Sequence, residues 1–388
     1  MAINPGDYSA IGLAKKREST FGTPPSGNYK VMNLLPDEGL RGNPGTVRSE
    51  EARNDRLPNQ RKRVSLDGGG AFNFNMRLGA QFDGFLEEGM CNTFSTPLAI
   101  SSTAISFQAS DNSMNGTGLF GAIIANQILS LGGSASGNTG YVRVVSATAN
   151  KVILAWLTVT DESVGPTITV TGSALTHGSQ KLSATYQRRH TDFSTDPYQV
   201  YAGQMVNTLG VVFNFRELIR VSTELMGLMP GARTATPVAS GYDTEDTGEV
   251  LDVSNNMALH RYDGTISANI RSVEFNWNNN LEYVPVAQSA SPDSISLGDI
   301  SLAGRYSVYV VDGSDLLDDA YADTPVSISW SVQPIDGGAY FFVLPRVKFT
   351  QPGDTPKSAN RGALMLDLDW EAEPDANNQI LVVSKHAA

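Results

Sequence analysis

Three stretches of the sequence alternate apolar and polar residues with a period of two. Phe72, Phe74, Met76 and Leu78 alternate with Asn73, Asn75 and Arg77. Val326, Ile328, Trp330 and Val332 alternate with Ser327, Ser329 and Ser331, and Leu364, Leu366, Leu368 and Trp370 with Met365, Asp367, Asp369 and Glu371. Successive side chains of a strand point to opposite faces, so each stretch predicts a strand with one dry and one wet face. Tyr340 to Leu344 is a continuous apolar run, the pattern of a strand covered on both faces, and is expected to end at Pro345. Helical spacing is rarer. Phe82, Phe85 and Leu86 share one helix face, with Glu87 and Glu88 outward and Gly89 as a stop. Leu316, Leu317, Ala320 and Tyr321 repeat the pattern behind Asp315 as an N-cap. Phe215 to Leu225 fits a helix or a strand. With 37 Gly, 19 Pro and 18% charged residues, the chain has a turn-rich, all-β composition.

The order of elements repeats. Ser65-Leu66-Asp67-Gly68, a strand and the Phe82–Glu88 helix match Ser301-Leu302-Ala303-Gly304, a strand and the Leu316–Tyr321 helix. A long polar stretch precedes each copy, Arg48 to Lys62 and Asn276 to Asp299, and further strands follow each, Tyr198 to Leu225 and Val326 to Trp370. Residues 95–180 interrupt the first copy. Their only charged residues are Asp111, Arg143, Lys151, Asp161 and Glu162, and they contain strand runs of their own at Tyr141–Val145, Val152–Leu157 and Thr167–Thr171. Without this insert, two units of about 150 residues remain, an ordinary domain size. The expected organisation is an N-terminal arm (1–29), a first β-sandwich or barrel domain (30–94 and 181–235), an inserted small β-domain (95–180) and a second sandwich domain (236–388).

Motifs for chemistry are few. Gly116-Thr117-Gly118-Leu119-Phe120-Gly121 matches the dinucleotide fingerprint by letter, but a loop-like Asp111–Asn115 precedes it and no acid follows until Asp161. Asp312, Asp315, Asp318 and Asp319 lack the spacing of a calcium loop and read as a turn and a helix start. His177, His190, His260 and His386 are scattered, and the single Cys91 excludes a disulfide framework or a thiolate zinc cluster. No cofactor or metal is expected, and no enzyme activity. The rivals to a structural role are a β-rich adhesin or carbohydrate-binding protein and a carboxylate-dyad glycoside hydrolase. No apolar stretch is long enough to span a membrane, and Met1–Arg17 has no apolar core for export, so the protein is expected to be made in the cytoplasm.

Charge is segregated within a net balance of −12. Residues 1–63 carry eleven Lys/Arg against seven Asp/Glu, and residues 312–375 carry twelve acids against four bases. Such a split is either a solvated surface or complementary contact between copies of a self-assembling subunit. Asp367, Asp369 and Glu371 form an acidic ladder on the wet face of one strand.

Four further segments carry a resemblance. Glu18-Ser19-Thr20-Phe21-Gly22-Thr23-Pro24, Phe82-Asp83-Gly84-Phe85-Leu86-Glu87, Arg271-Ser272-Val273-Glu274-Phe275-Asn276 with Asn280-Leu281-Glu282, and Leu344-Pro345-Arg346-Val347-Lys348-Phe349 resemble, in order, the tail tube (major tail) proteins of long-tailed, siphovirus-type bacteriophages. Residues 95–180 resemble a β insertion found in some members. The resemblance implies β-sandwich tube domains whose sheets join around a ring into a continuous β-barrel, and rings that stack into a conduit for genome DNA. It implies that Phe215–Met226 is strand and that a long loop between early strands reaches the next ring. The loop candidates are Glu50, Arg53, Arg56 and Arg61 in the first copy and Glu282 and Asp293 in the second. With two tube domains per chain, a pseudo-sixfold ring needs three chains, the alternative being six. The implied partners are further copies of the chain, the tape measure and tail terminator proteins, and double-stranded DNA in non-specific passage; the implied location is the virion tail. An acidic protein does not grip phosphate, and the acids expected to line the lumen are Asp367, Asp369, Glu371 and, in the first copy, Glu224.

Overall fold

The period-two stretches are strands as far as Asn75, over Val326–Val332 and from Met365, and their apolar residues there share one face of a common sheet. The computed structural model describes residues 11–36, 39–190, 193, 195–266, 270–309, 316–335, 337–351 and 365–387. The chain opens with β1 (Ile11–Arg17), β2 (Asn28–Val31), β3 (Arg41–Arg48), β4 (Arg61–Asn75) and helix α1 (Ala80–Gly89). Seven strands follow: β5 (Leu98–Ser102), β6 (Ser106–Gln108), β7 (Ser113–Asn115), β8 (Ile128–Gly132), β9 (Gly140–Ala147), β10 (Lys151–Ala155) and β11 (Ile168–Thr176). Next come β12 (Ala184–His190), β13 (Tyr198–Asn214), β14 (Arg220–Gly227), β15 (Gly241–Asp243) and the single turn α2 (Val253–Asn256). The remainder is β16 (Met257–Tyr262), β17 (Thr265–Ile266), β18 (Ile270–Asn278), β19 (Glu282–Val284), β20 (Ser294–Ser296), β21 (Ser301–Tyr309), α3 (Leu316–Ala322), β22 (Val326–Val332), β23 (Ala339–Gln351), β24 (Met365–Ala372) and β25 (Val382–His386).

One ladder order occurs twice. Antiparallel pairing gives β3–β4–β14–β13–β12–β1 in the first part of the chain. It gives β18–β21–β24–β23–β22–β16 in the last part. The two ladders meet where Thr208–Asn214 of β13 pairs with Asn278–Ser272 of β18. The result is one continuous sheet in the order β3–β4–β14–β13–β18–β21–β24–β23. One face of it is the core, where Phe74, Val221, Val211, Phe275, Tyr306, Leu368 and Trp370 belong to a single buried cluster. Each large apolar side chain shut away there contributes about 1.5–3 kcal/mol. Helix α1 seals this face with Phe82, Phe85 and Leu86, and Phe74 stacks on Phe85 at 5.1 Å between ring centroids.

Local chemistry explains the departures from expectation. Strand β23 runs through Pro345 rather than ending there, because the pairing slips between Ile328–Leu344 and Val326–Val347 and the proline occupies the bulge. Phe215–Glu217 turns the chain, Leu218 makes an isolated bridge to Asp252, and strand begins only at Arg220. Glu88 does not face outward: it is buried, because Lys15 of β1 crosses the helix to meet it. The glycine run Gly68–Gly70 lets backbones approach, since a Cβ on these residues would collide with the carbonyls of Leu228, Leu225 and Gly39. Asp312, Asp315, Leu364 and the first ten residues of the expected N-terminal arm lie outside the described residues.

Strands β6–β11 enclose a second core of Phe107, Met114, Leu129, Val142, Val152 and Val170, separate from the main one. The sequence Gly116–Gly121 forms turns there, with no helix behind it. Strand β11 leaves this module and continues into the main fold, pairing Ser173–Thr176 with Lys385–Val382 of β25. Asn126 fixes the docking by donating to Asp375 and Gln379, 2.8 Å each, while Arg143 donates back to Asn126 Oδ1 at 2.6 Å.

Candidate functional site: the open polar face of the central sheet

The face of the central sheet opposite the core has no covering layer among the described residues, and its composition follows from strand parity. Glu224, Ser222 and Arg220 of β14 alternate with buried Val221, Thr223 and Leu225. Glu274 and Asn276 of β18 alternate with buried Val273, Phe275 and Trp277. Asp367, Asp369 and Glu371 of β24 alternate with buried Leu366, Leu368 and Trp370. Register lines these residues up in rows across strands. One row runs Asn75, Arg220, Val212, Glu274, Arg305 and Asp369. Another runs Asn73, Ser222, Gly210, Asn276, Ala303, Glu371 and Lys348.

All four expected acids therefore belong to one surface. Glu224 sits opposite Thr208, which sits opposite Asn278 and then Ser301, so it is four strands from the β24 ladder, about 19 Å at the usual strand spacing. The acids are not bare. Arg305 donates to Asp369 at 3.0 Å, and Ser307 donates to Asp367. Lys348, opposite Glu371 in the register, reaches Asp323 instead, 2.6 Å away. Glu274, Arg220, Arg305 and Lys348 are further charged residues of the face and escaped the reading of the sequence as site candidates. The signal for them was the polar parity of β18 and β21, visible once Val273, Phe275 and Trp277 are taken as the dry side.

The six loop candidates do not come together as one group. Glu50, Arg53 and Arg56 are exposed at the tip of the β3–β4 hairpin, and Arg61 opens β4. Val47, Leu57 and Val64 are also exposed on this arm, at 58%, 60% and 53%. Glu282 and Asp293 lie on the small β19–β20 hairpin, which folds back: Tyr283 Oη donates to Gly68 O at 2.9 Å, and Leu66 N donates to Ala290 O at 2.8 Å. One polar stretch projects while its counterpart packs against the root of the first.

Three bases of the N-terminal stretch have acidic partners within the chain, all of them outside the acidic 312–375 tract. Lys15 and Arg17 pair with Glu88 and Glu87, and Lys30 pairs with Asp246. A further missed residue is Glu18, which is buried. Its carboxylate accepts from Ser183 Oγ (2.6 Å), Thr185 Oγ1 (2.5 Å), Gly203 N (2.8 Å) and Gly22 N (2.8 Å), so it ties the N-terminal segment to β12 and β13. Among the described residues no three His, Cys, Asp or Glu side chains group as a metal-binding set, and no helix is long and apolar enough to cross a membrane.

No curated protein matches the sequence. A family model described as phage tail tube protein matches residues 9–372.

Proposed function

The chain belongs to the phage tail tube protein family, a structural component of the virion tail, and on that premise we propose that three copies close a ring with pseudo-sixfold symmetry. In this reading the chain is a tandem duplication of the tube domain, with residues 30–94 and 181–235 as the first unit, 236–388 as the second and 95–180 as an insert. The observation that carries it is the junction of β13 with β18. It joins two ladders of identical order into one sheet, and it leaves β3 with an unpaired edge among the described residues. Repeating that junction between chains satisfies the open edge and closes the sheets into a continuous barrel.

The rings stack into a tube, with the β3–β4 arm reaching the next ring, and the tube conducts genome DNA from capsid to host. The polar face lines its lumen. Along it Glu224, Glu274, Asp367, Asp369 and Glu371 stand against Arg220, Arg305 and Lys348, so the lining is acidic overall, with Arg305 and Lys348 paired to Asp369 and Asp323. A duplex carrying about one phosphate charge per 1.7 Å passes such a wall without releasing counterions to it, whereas a basic wall would hold it. Synthesis in the host bacterial cytoplasm and contacts with tape measure and terminator proteins complete the proposal. Negative-stain images of the concentrated protein, with the mass of an isolated ring, test it. Rings of three chains are expected; a six-chain mass overturns the stoichiometry, and compact monomers at every concentration overturn the assembly.

A further inference from the structure

The two ladders can be laid over each other residue by residue. Strand β13 slips between Val206 and Thr208 against β14, and β23 slips between Phe349 and Gln351 against β24. Setting the slips together makes Gln351 the counterpart of Thr208 and Asp369 that of Glu224. The pairings carry the match through Gly304 and Gly70 to Asn276 and Arg41, and hence to Phe275 and Leu40. A second feature agrees. A Cβ on Gly70 would collide with the carbonyl oxygen of Gly39, and one on Gly304 with that of Glu274, the residues just before Leu40 and Phe275. The slips of β12 at Ala184–Tyr186 and of β22 at Val326–Ile328 likewise make Arg188 the counterpart of Trp330.

Matched positions differ at the strand edge. Main-chain carbonyls alternate direction along a strand, so with Glu274 O against β21, Phe275 O faces β13 across the junction. By the same alternation Gly39 O faces β4, and Leu40 O points to the open edge of β3. Arg188 of β12 occupies that carbonyl: its Nη2 donates to Leu40 O at 3.0 Å, with the guanidinium over the Tyr201 ring at 5.5 Å. Trp330 leaves the matching carbonyl alone. It covers the junction with a ring 5.5 Å from Phe213 and 6.2 Å from Phe275, and its indole N–H has no partner among the described residues. Past Val347, the edge of β23 away from β24 has no partner among the described residues either.

We infer that Arg188 guards the open edge of β3, and that β23 of a second copy displaces it, in the register that sets Asn43 opposite Gln351. Within one chain Asn278 stands opposite Thr208 in the same way. The inference rests on the ring reading above and adds its register and its control. An incoming strand needs Leu40 O for a main-chain N–H, and the guanidinium holds that acceptor until the strand arrives. Unpaired edges invite pairing with any strand, and a charged side chain on the edge restrains it. Pro44, the counterpart of Asn279, limits the ladder further. Asn279 N donates to Asn207 O at 2.8 Å, whereas proline has no N–H to give, so the ladder between chains stops at Asn43 on that side.

Two substitutions in the full-length chain test the guard. Arg188→Met keeps the aliphatic stem and loses the donors, and Arg188→Leu is the second variant. Each is expected to lower the concentration needed for ring assembly by about tenfold. If both assemble only at the parent's concentration or above it, the guard is overturned. The register is tested separately. Directly opposite residues that exchange no hydrogen bonds have Cα atoms about 4.5 Å apart, within reach of a disulfide. Asn43→Cys combined with Gln351→Cys, oxidised, is expected to give covalently linked chains on a non-reducing gel, and neither cysteine alone should do so. In the parent, hydrogen exchange at the Gly42 amide should slow when rings form. No linked chains and unslowed exchange, with the parent forming rings, overturn the register and leave the ring reading standing. A parent chain that stays monomeric at all concentrations overturns both.

Discussion

Lys15 Nζ stands 2.6 Å from Glu88 Oε2, and the two side chains are only 12% and 2% exposed. The ammonium also lies over the Phe85 ring, 3.9 Å from its centroid. Burial pushes the Lys15 pKa down, and the Glu88 carboxylate pulls it back up. The pair fastens β1 to α1 and therefore the opening of the chain to the core. Glu88→Ala leaves a buried charge without its partner, at an expected cost of about 3–5 kcal/mol, while Lys15→Met with Glu88→Leu costs less. Urea denaturation of both single variants and the double variant checks this. Additive losses would mean that the two groups are not coupled.

Glu18 makes a second prediction, local rather than global. Its carboxylate satisfies the amides of Gly22 and Gly203 and two hydroxyls. Glu18→Ala strands those donors, each at about 1–3 kcal/mol where no water replaces the oxygen. Hydrogen exchange should speed at Gly22 and Gly203 while the amides of β18 and β21 keep their protection. Unchanged exchange at both glycines would contradict the clamp.

His386 predicts a pH dependence. Its ring lies between Tyr141 and Phe341, with centroids 5.0 and 5.5 Å away, where the inserted module meets β23 and β25. Burial pushes its pKa down to about 4 from the ordinary 6.5. Between those values the unfolded chain binds the proton and the folded one does not. The stabilisation is thus complete above pH 6.5 and is lost as the pH falls toward 4. A shift of this size corresponds to about 3 kcal/mol. Stability curves at several pH values for the parent and His386→Phe should diverge in slope over that window, and parallel curves would refute the assignment.

The lumen assignment predicts a defect in transport without a defect in assembly. Asp367→Lys with Asp369→Lys places new cations beside Arg305 on an exposed face and removes no core contact. Tubes should form, and DNA delivery by phage carrying the variant should slow, with the delay shrinking as salt rises. Normal infection kinetics would rule this face out as the lining.

Much of the sheet was legible because a half-buried strand imposes a two-residue period on its own sequence. Leu366, Leu368 and Trp370 announced their dry face, and Asp367, Asp369 and Glu371 the wet one. The glutamates of α1 were less legible. Helical spacing placed Glu88 outside, yet its environment was set by Lys15, a residue 73 positions earlier. Helical periodicity carries no information about which distant side chain crosses over it. The strand end placed at Pro345 failed for a related reason, since a proline stops a regular ladder but fits a slip in register, and slips belong to pairs of strands.

From its residue pattern alone the chain is all-β, with the dry and wet faces assignable in strands such as β24. These properties are written in local periodicity and composition, which each segment carries alone. Only the tertiary structure decided that Glu224 and Asp369 share one surface, that Arg305 tempers it, and that β13 and β18 weld the two ladders. Which strand edges meet is a matter of long-range hydrogen bonding and register. A register is a relation between segments far apart in the chain, and neither segment encodes it without the other.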